Sequence, residues 1–233
     1  MRGGRHRKPS AREQCELACA ILEHIILYST SKLVRLMPTA TGFYAGQPKQ
    51  ELGRGRKSVA LVVFLRGVNV GGHKTFQPSV LARELSDFDV VNVGAAGTFV
   101  IRKTISQAMV RAELLRRLPF TAEFMICQSR DLIDLASGEP FANEPSGKDV
   151  SRFVSVLAKR PRTLPPLPIR QPAGETWQVK VIEVTGRFAL SVHRRLGRTL
   201  VYPNEVVEKN LGVSATTRNW NTISAICDIL KGR

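Results

Sequence analysis

Nine residues near the C-terminal end gather the side chains best suited to holding an anion: Ser214-Ala215-Thr216-Thr217-Arg218-Asn219-Trp220-Asn221-Thr222. Hydroxyls and amides of this kind cap helices, and the apolar-periodic run behind them predicts a helix from about Asn219 to Leu230. A helix start offers unpaired N–H groups and a partial positive charge. Arg218 adds a fixed cation, so an anionic ligand is the natural guest. Capping and packing explain Thr216, Thr217, Asn219 and the stripe Trp220, Ile223, Cys227 and Leu230 with no ligand at all. Arg218 is the exception, because a cation at a helix start opposes the dipole. Two partners compete for it: a carboxylate inside the protein, or a ligand.

The second candidate is Arg66-Gly67-Val68-Asn69-Val70-Gly71-Gly72-His73, a glycine-rich loop between a strand and a helix. Such loops wrap backbone N–H groups around phosphate. This one is neither a Walker loop nor GxGxxG, and glycines after a strand more often mark a tight turn. Together the loops nominate Arg66, Gly67, Asn69, Gly71, Gly72, Arg198, Thr217, Arg218 and Asn219 as an anion-binding set.

Elsewhere the signals are weaker. Arg187, His193, Arg194, Arg195 and Arg198 form a basic cluster whose plain reading is a solvated surface. His73 and His193 are the acid–base candidates, neither with an evident carboxylate partner. No catalytic residues can be named, no cofactor is implied, and Cys15, Cys19 and His24 make a poor zinc site without a fourth ligand. Four scattered cysteines fit a reducing cytoplasm.

Several elements must position these loops. Residues 1–57 read as a basic, poorly ordered or partly helical extension, with no apolar run long enough for a bilayer. Residues 58–129 read as β-α-β-β-α-β, a ferredoxin-like subdomain. Its strands are Val59–Leu65, Asp89–Val93, Thr98–Arg102 and Ala122–Gln128, with Gly94-Ala95-Ala96-Gly97 as a hairpin turn. Its helices begin near Pro78 and at Ser106, the second carrying Met109, Leu114, Leu115 and Leu118. Residues 130–233 read as a smaller α+β subdomain packed on the first. It holds a helix at Arg130–Ala136, a strand at Arg152–Ala158 and a hairpin turning at Thr185-Gly186-Arg187. A helix at Asn204–Leu211 ends at Gly212. Five prolines between Pro161 and Pro172 predict an extended linker.

The 233 residues carry 43% hydrophobic and 23% charged side chains, the profile of a globular protein. A formal charge of +16 attracts phosphates, nucleic acid and anionic surfaces without naming one of them.

The run Leu65-Arg66-Gly67-Val68-Asn69-Val70-Gly71-Gly72-His73, taken with Thr216-Thr217-Arg218-Asn219-Trp220-Asn221-Thr222, resembles DUF1697, a bacterial family of unknown function. The resemblance spans about Val59 to Leu230. It implies a two-part α+β fold with a ferredoxin-like first part and no established activity. Val93-Gly94-Ala95-Ala96-Gly97-Thr98 replaces a more polar hairpin of the family, and Gly197-Arg198-Thr199-Leu200 lacks a family lysine, so the chain reads as a divergent member.

Three function classes follow. One is a cytosolic binding module for a phosphate-bearing ligand, either nucleotide-like or a nucleic-acid backbone, with no membrane partner. Another is an enzyme acting on an anionic substrate, with His73 or His193 shuttling protons. The third is a structural or protein-interaction domain. In a nucleic-acid role Phe64 and Phe99 would be the stacking aromatics of the first sheet, although the RNA-recognition pattern is missing and core packing suits both rings better.

Overall fold

The computed structural model describes residues 60–68, 76–196 and 201–232. The chain divides into two units, Met1–Leu52 and Gly53–Arg233, and the description that follows concerns the second. The expectations for residues 1–57, including Cys15, Cys19 and His24, lie outside the described residues.

The described residues form a mixed α/β structure with two antiparallel sheets and five α-helices. The first sheet contains β1 (Leu61–Leu65), β2 (Val90–Asn92), β3 (Thr98–Ile101) and β4 (Phe124–Gln128), in the order β2-β3-β1-β4. Helix α1 (Pro78–Glu84) links β1 to β2, and α2 (Gln107–Arg117) links β3 to β4. Every residue of β1 is buried, as expected of a strand apolar on both sides.

Alternation divides this sheet between two cores. Leu61, Val63, Leu65, Phe99 and Ile126 pack on α1 and α2, while Val62, Phe64, Val100, Met125 and Cys127 face the other way. Phe64 and Phe99 therefore lie on opposite faces and are 0% and 1% exposed, which removes them as a stacking platform. Ser106 caps α2 by accepting from the Met109 amide at 3.2 Å. The buried line of that helix runs through Val110 and Leu114 to Leu118, whereas Met109 and Leu115 are exposed. The apolar stripe expected from the sequence was thus rotated, because 110-114-118 is an unbroken i, i+4 row and Met109 and Leu115 stand off it.

The second sheet has the order β6-β7-β8-β5-β9. Its strands are β5 (Val150–Leu157), β6 (Ile169–Gln171), β7 (Val179–Thr185), β8 (Phe188–Arg194) and β9 (Ala215–Asn219). One face packs on α4 (Pro203–Leu211) through Val179, Val181, Ala189, Val206 and Val207. The other joins α3 (Ser129–Ser137), α5 (Trp220–Leu230) and the free face of the first sheet in one core through Val154, Val156, Leu190, Ile223 and Ile226.

Two expectations need correction here. The proline-rich segment is more than a linker, since Ile169–Gln171 pairs with Val179–Val181 of β7. Pro168 and Pro172 flank that strand, and an edge position tolerates the donors they lack. Thr216 and Thr217, read as caps before a helix, instead lie in β9, which pairs with Phe153–Leu157, while Asn219 at its end does cap α5. Threonine suits a strand as well as a cap, and long-range pairing decides between them.

The β2–β3 turn explains one glycine closely. Gly97 has φ +68°, and a Cβ there would meet Leu65 Cβ and Val68 Cγ2 at 2.9 Å. Gly94 has φ +74° but open space around it. Gly97→Ala is expected to cost roughly 2–4 kcal/mol, from left-handed strain and overpacking together. Gly94→Ala should cost about 1–2 kcal/mol from strain alone. Urea unfolding of both variants at unchanged slope measures the difference.

Candidate functional site

Period-two alternation along β9 turns Thr216 and Arg218 to one side and Ala215 and Thr217 to the other. Thr217 faces α4, where its hydroxyl meets Asn204 Oδ1 at 2.9 Å, and it also lies 2.7 Å from the Ser155 hydroxyl. Thr216 and Arg218 face the first sheet. The Thr216 hydroxyl donates to the Leu65 carbonyl at 3.1 Å.

Arg218 completes the junction. Its Nε donates to Thr98 Oγ1 at 2.7 Å, and Nη1 donates to Thr216 Oγ1 at 2.9 Å and the Thr217 carbonyl at 3.0 Å. Nη2 donates to the carbonyls of Leu65 at 2.7 Å and Ala96 at 2.8 Å. A guanidinium has five N–H groups, and all five are engaged. The residue is 7% exposed, and burial pulls its pKa down to about 10, so it stays charged at neutral pH. Neither partner weighed in the sequence holds it. Neutral oxygens do, with the Phe64 ring 5.7 Å away.

Arg66, directly after β1, reaches the same seam from the opposite side. Nε donates to the Ala215 carbonyl at 3.1 Å and to Glu208 Oε1 at 3.2 Å, while Nη2 takes both Glu208 oxygens at 3.0 and 3.2 Å. Glu208 also accepts the Ala215 amide at 2.7 Å, which fixes the end of α4 to the start of β9. The remaining pair, Nη1 to Glu123 Oε2 at 3.0 Å, is exposed.

The nominated residues are therefore distributed as follows. Arg66, Gly67 and Arg218 meet where β1 ends and β9 runs past it, whereas Thr217 turns to α4. Asn219 serves as the N-cap of α5, its side chain accepting from the Asn221 amide at 2.9 Å. Asn69, Gly71, Gly72, His73 and Arg198 lie outside the described residues. His193 is on β8 opposite Ser151 and Val179, buried edge-on to Phe153, and its Nε2 has no hydrogen-bond partner. Burial, then the Arg195 charge, lowers its pKa. The other basic residues of its cluster are largely spent on backbone. Arg187 donates to the Leu157 and Ile126 carbonyls at 2.8 and 3.0 Å, and Arg194 lies over the Trp177 ring at 3.8 Å and binds its carbonyl.

Sequence reasoning missed a concave site. A cavity of about 500 Å³ opens between β4, α3 and the β7–β8 turn, lined among others by Cys127, Asp131, Asp134, Arg160 and Arg187. Its residues come from four separate segments, so no spacing in the sequence could have pointed to it.

A family model described as a protein of unknown function, DUF1697, matches residues 59–184, more than half of the chain. The chain belongs to the DUF1697 family. No curated protein and no solved structure matches it. In this DUF1697 protein the matched region runs from β1 into β7, so it includes Arg66 and Gly67 but not the Thr216–Thr222 motif. Hydrogen bonds from Arg218 and Thr216 to Leu65 nonetheless bring the two resemblance-bearing segments together.

Removing the Arg218 guanidinium takes a donor from the Ala96 and Thr217 carbonyls and leaves the Leu65 carbonyl with Thr216 alone, all at a buried seam. Arg218→Met should cost roughly 3–5 kcal/mol, the range for losing one member of a buried charged network. Arg66→Met, half-exposed, should cost about 1 kcal/mol. Equilibrium unfolding in urea separates the two.

His193 gives a pH signature of definite sign. Its lowered pKa keeps it neutral in the fold while the unfolded chain takes up a proton near pH 6.5. Its contribution should be complete above that pH and fade as pH falls through 6.5 toward the folded value. His193→Leu should flatten the stability profile between pH 7.5 and 5.5, measured as urea midpoints.

Proposed function

We propose that this DUF1697 protein is a binding module for a phosphate-bearing ligand, held at the start of the glycine turn beside Arg66. The observation that carries this reading is the buried Arg218 charge: its partners are neutral, so no carboxylate cancels it inside the seam. It sits on the carbonyl of Leu65, one residue before Arg66, and so lends positive potential to that turn. Arg66 Nη1 is tied only to the exposed Glu123, a pair worth about 0–1 kcal/mol and easily exchanged for a phosphate oxygen. In this reading Arg66 and Gly67, with Asn69, Gly71, Gly72 and Arg198, meet the ligand. Thr217, Arg218 and Asn219 hold the scaffold beneath it.

The overall charge and the topology support the same reading. Most of the positive excess falls beyond Leu52. The first sheet's strand order, with α1 and α2 against one face, supports a ferredoxin-like assignment for residues 58–129, and the second sheet then belongs to a smaller α+β part spanning 130–233. Among the described residues no helix is long and apolar enough to cross a membrane, and Cys127 and Cys227 are free thiols, which favours a reducing cytoplasm. An enzymatic reading gains nothing from His193, which is buried on β8 and contributes nothing to the seam.

Pyrophosphate, a nucleoside triphosphate and a short oligonucleotide are the probes. A ligand at about 100-fold excess over its Kd should stabilise the fold by roughly 2.7 kcal/mol, read as a rise in Tm. The shift should shrink as salt rises and should be lost in Arg66→Gln, whose fold survives. No shift with any of the three, or one that Arg66→Gln leaves intact, would refute the proposal.

A further inference from the structure

The cavity between β4, α3 and the β7–β8 turn is independent of the seam site. Its volume of about 500 Å³ falls in the range, ~300–1,000 Å³, of pockets that enclose drug-sized ligands. Its lining carries both signs. Arg187 lies in the β7–β8 turn and Arg160 follows β5, Glu183 of β7 lines the same side and accepts from the Thr185 hydroxyl, and Asp131 and Asp134 come from α3. Arg187 is held by Nε and Nη1 on the Leu157 and Ile126 carbonyls, and its Nη2 has no hydrogen-bond partner among the described residues. Arg160 lies 3.9 Å from where a Cβ on Gly186 would stand and makes no hydrogen bond among the described residues.

On the opposite wall, among the described residues, Asp134 has no ion-pair partner and Asp131 meets its neighbour Arg130 at 3.7 Å. No ion pair joins the two walls among the described residues. Charges that flank one cavity without closing on each other suit a guest that carries both signs. Leu135, Pro140 and Phe188 supply apolar surface between them. Cys127 is floor and not nucleophile, since burial pushes its thiol up to about 12 and leaves it protonated at neutral pH.

The geometry points to a binding site for a small zwitterion with an apolar body, such as a short peptide. Its anionic end would sit on Arg187 and Arg160, and its cationic end on Asp131 and Asp134. A bare amino acid would leave most of the volume empty, whereas a dipeptide spans charges through apolar groups.

Calorimetric titration of the full chain with alanyl-leucine and with 6-aminohexanoate tests this. Binding of the dipeptide should weaken about tenfold when its amine is acetylated, and again about tenfold when its carboxylate is amidated instead. Arg160→Gln should weaken the free dipeptide but leave the amide unchanged. Asp134→Asn should weaken the free dipeptide but leave the acetylated form unchanged. Both side chains are exposed, so circular dichroism should show each variant folded. Absence of binding by both probes, equal binding of the blocked dipeptides, or indifference to both substitutions would overturn the proposal. None of these results bears on phosphate binding at Arg66.

Discussion

A single guanidinium sets the relation between the two sheets. Arg218 projects from β9 and donates to the last carbonyl of β1, to the β2–β3 turn and to the first residue of β3. A buried carbonyl without a donor costs as much as a lost hydrogen bond, so the ends of those strands are stable in this position only while the fork is present. The fork is planar and its donors diverge, so it dictates orientation as well as proximity. Leu65 accepts from both Arg218 and Thr216, which leaves little freedom for β1 to slide against β9.

Two further arginines cross the same boundary. Arg66 reaches from the first sheet to the Ala215 carbonyl, and Arg187 reaches from the second to that of Ile126. The seam thus has a polar margin laid beside an apolar interior, where Phe64, Met125, Val154, Leu190 and Ile223 meet. Area burial between the sheets is non-directional, whereas the three guanidinium contacts select one arrangement. These three arginines of this DUF1697 protein are accordingly architectural, whatever else Arg66 meets.

Local features were legible in the sequence and long-range ones were not. The hairpin glycines, the proline start of α1, the Gly212 stop of α4 and the alternation of β1 each follow from a few adjacent residues. The identity of β9 did not, because Thr-Thr-Arg-Asn satisfies both a cap and a strand, and only pairing with β5, some sixty residues upstream, chooses. Arg218 was singled out correctly as a cation in need of a partner. Its partners at Leu65 and Ala96 are backbone oxygens more than 120 residues away, and no sequence pattern marks a carbonyl. For the same reason the α3 cavity was invisible: its opposing charges come from distant segments and look, one at a time, like ordinary surface residues.

Hydrogen exchange at the Arg218 Nε–H, followed by nitrogen-15 NMR, tests the central claim most directly. A guanidinium with every N–H engaged should exchange only when the protein unfolds, so its signal should persist at pH 8 while those of exposed arginines vanish. Exchange as fast as at an exposed arginine would mean that Arg218 is open to solvent and does not hold the seam.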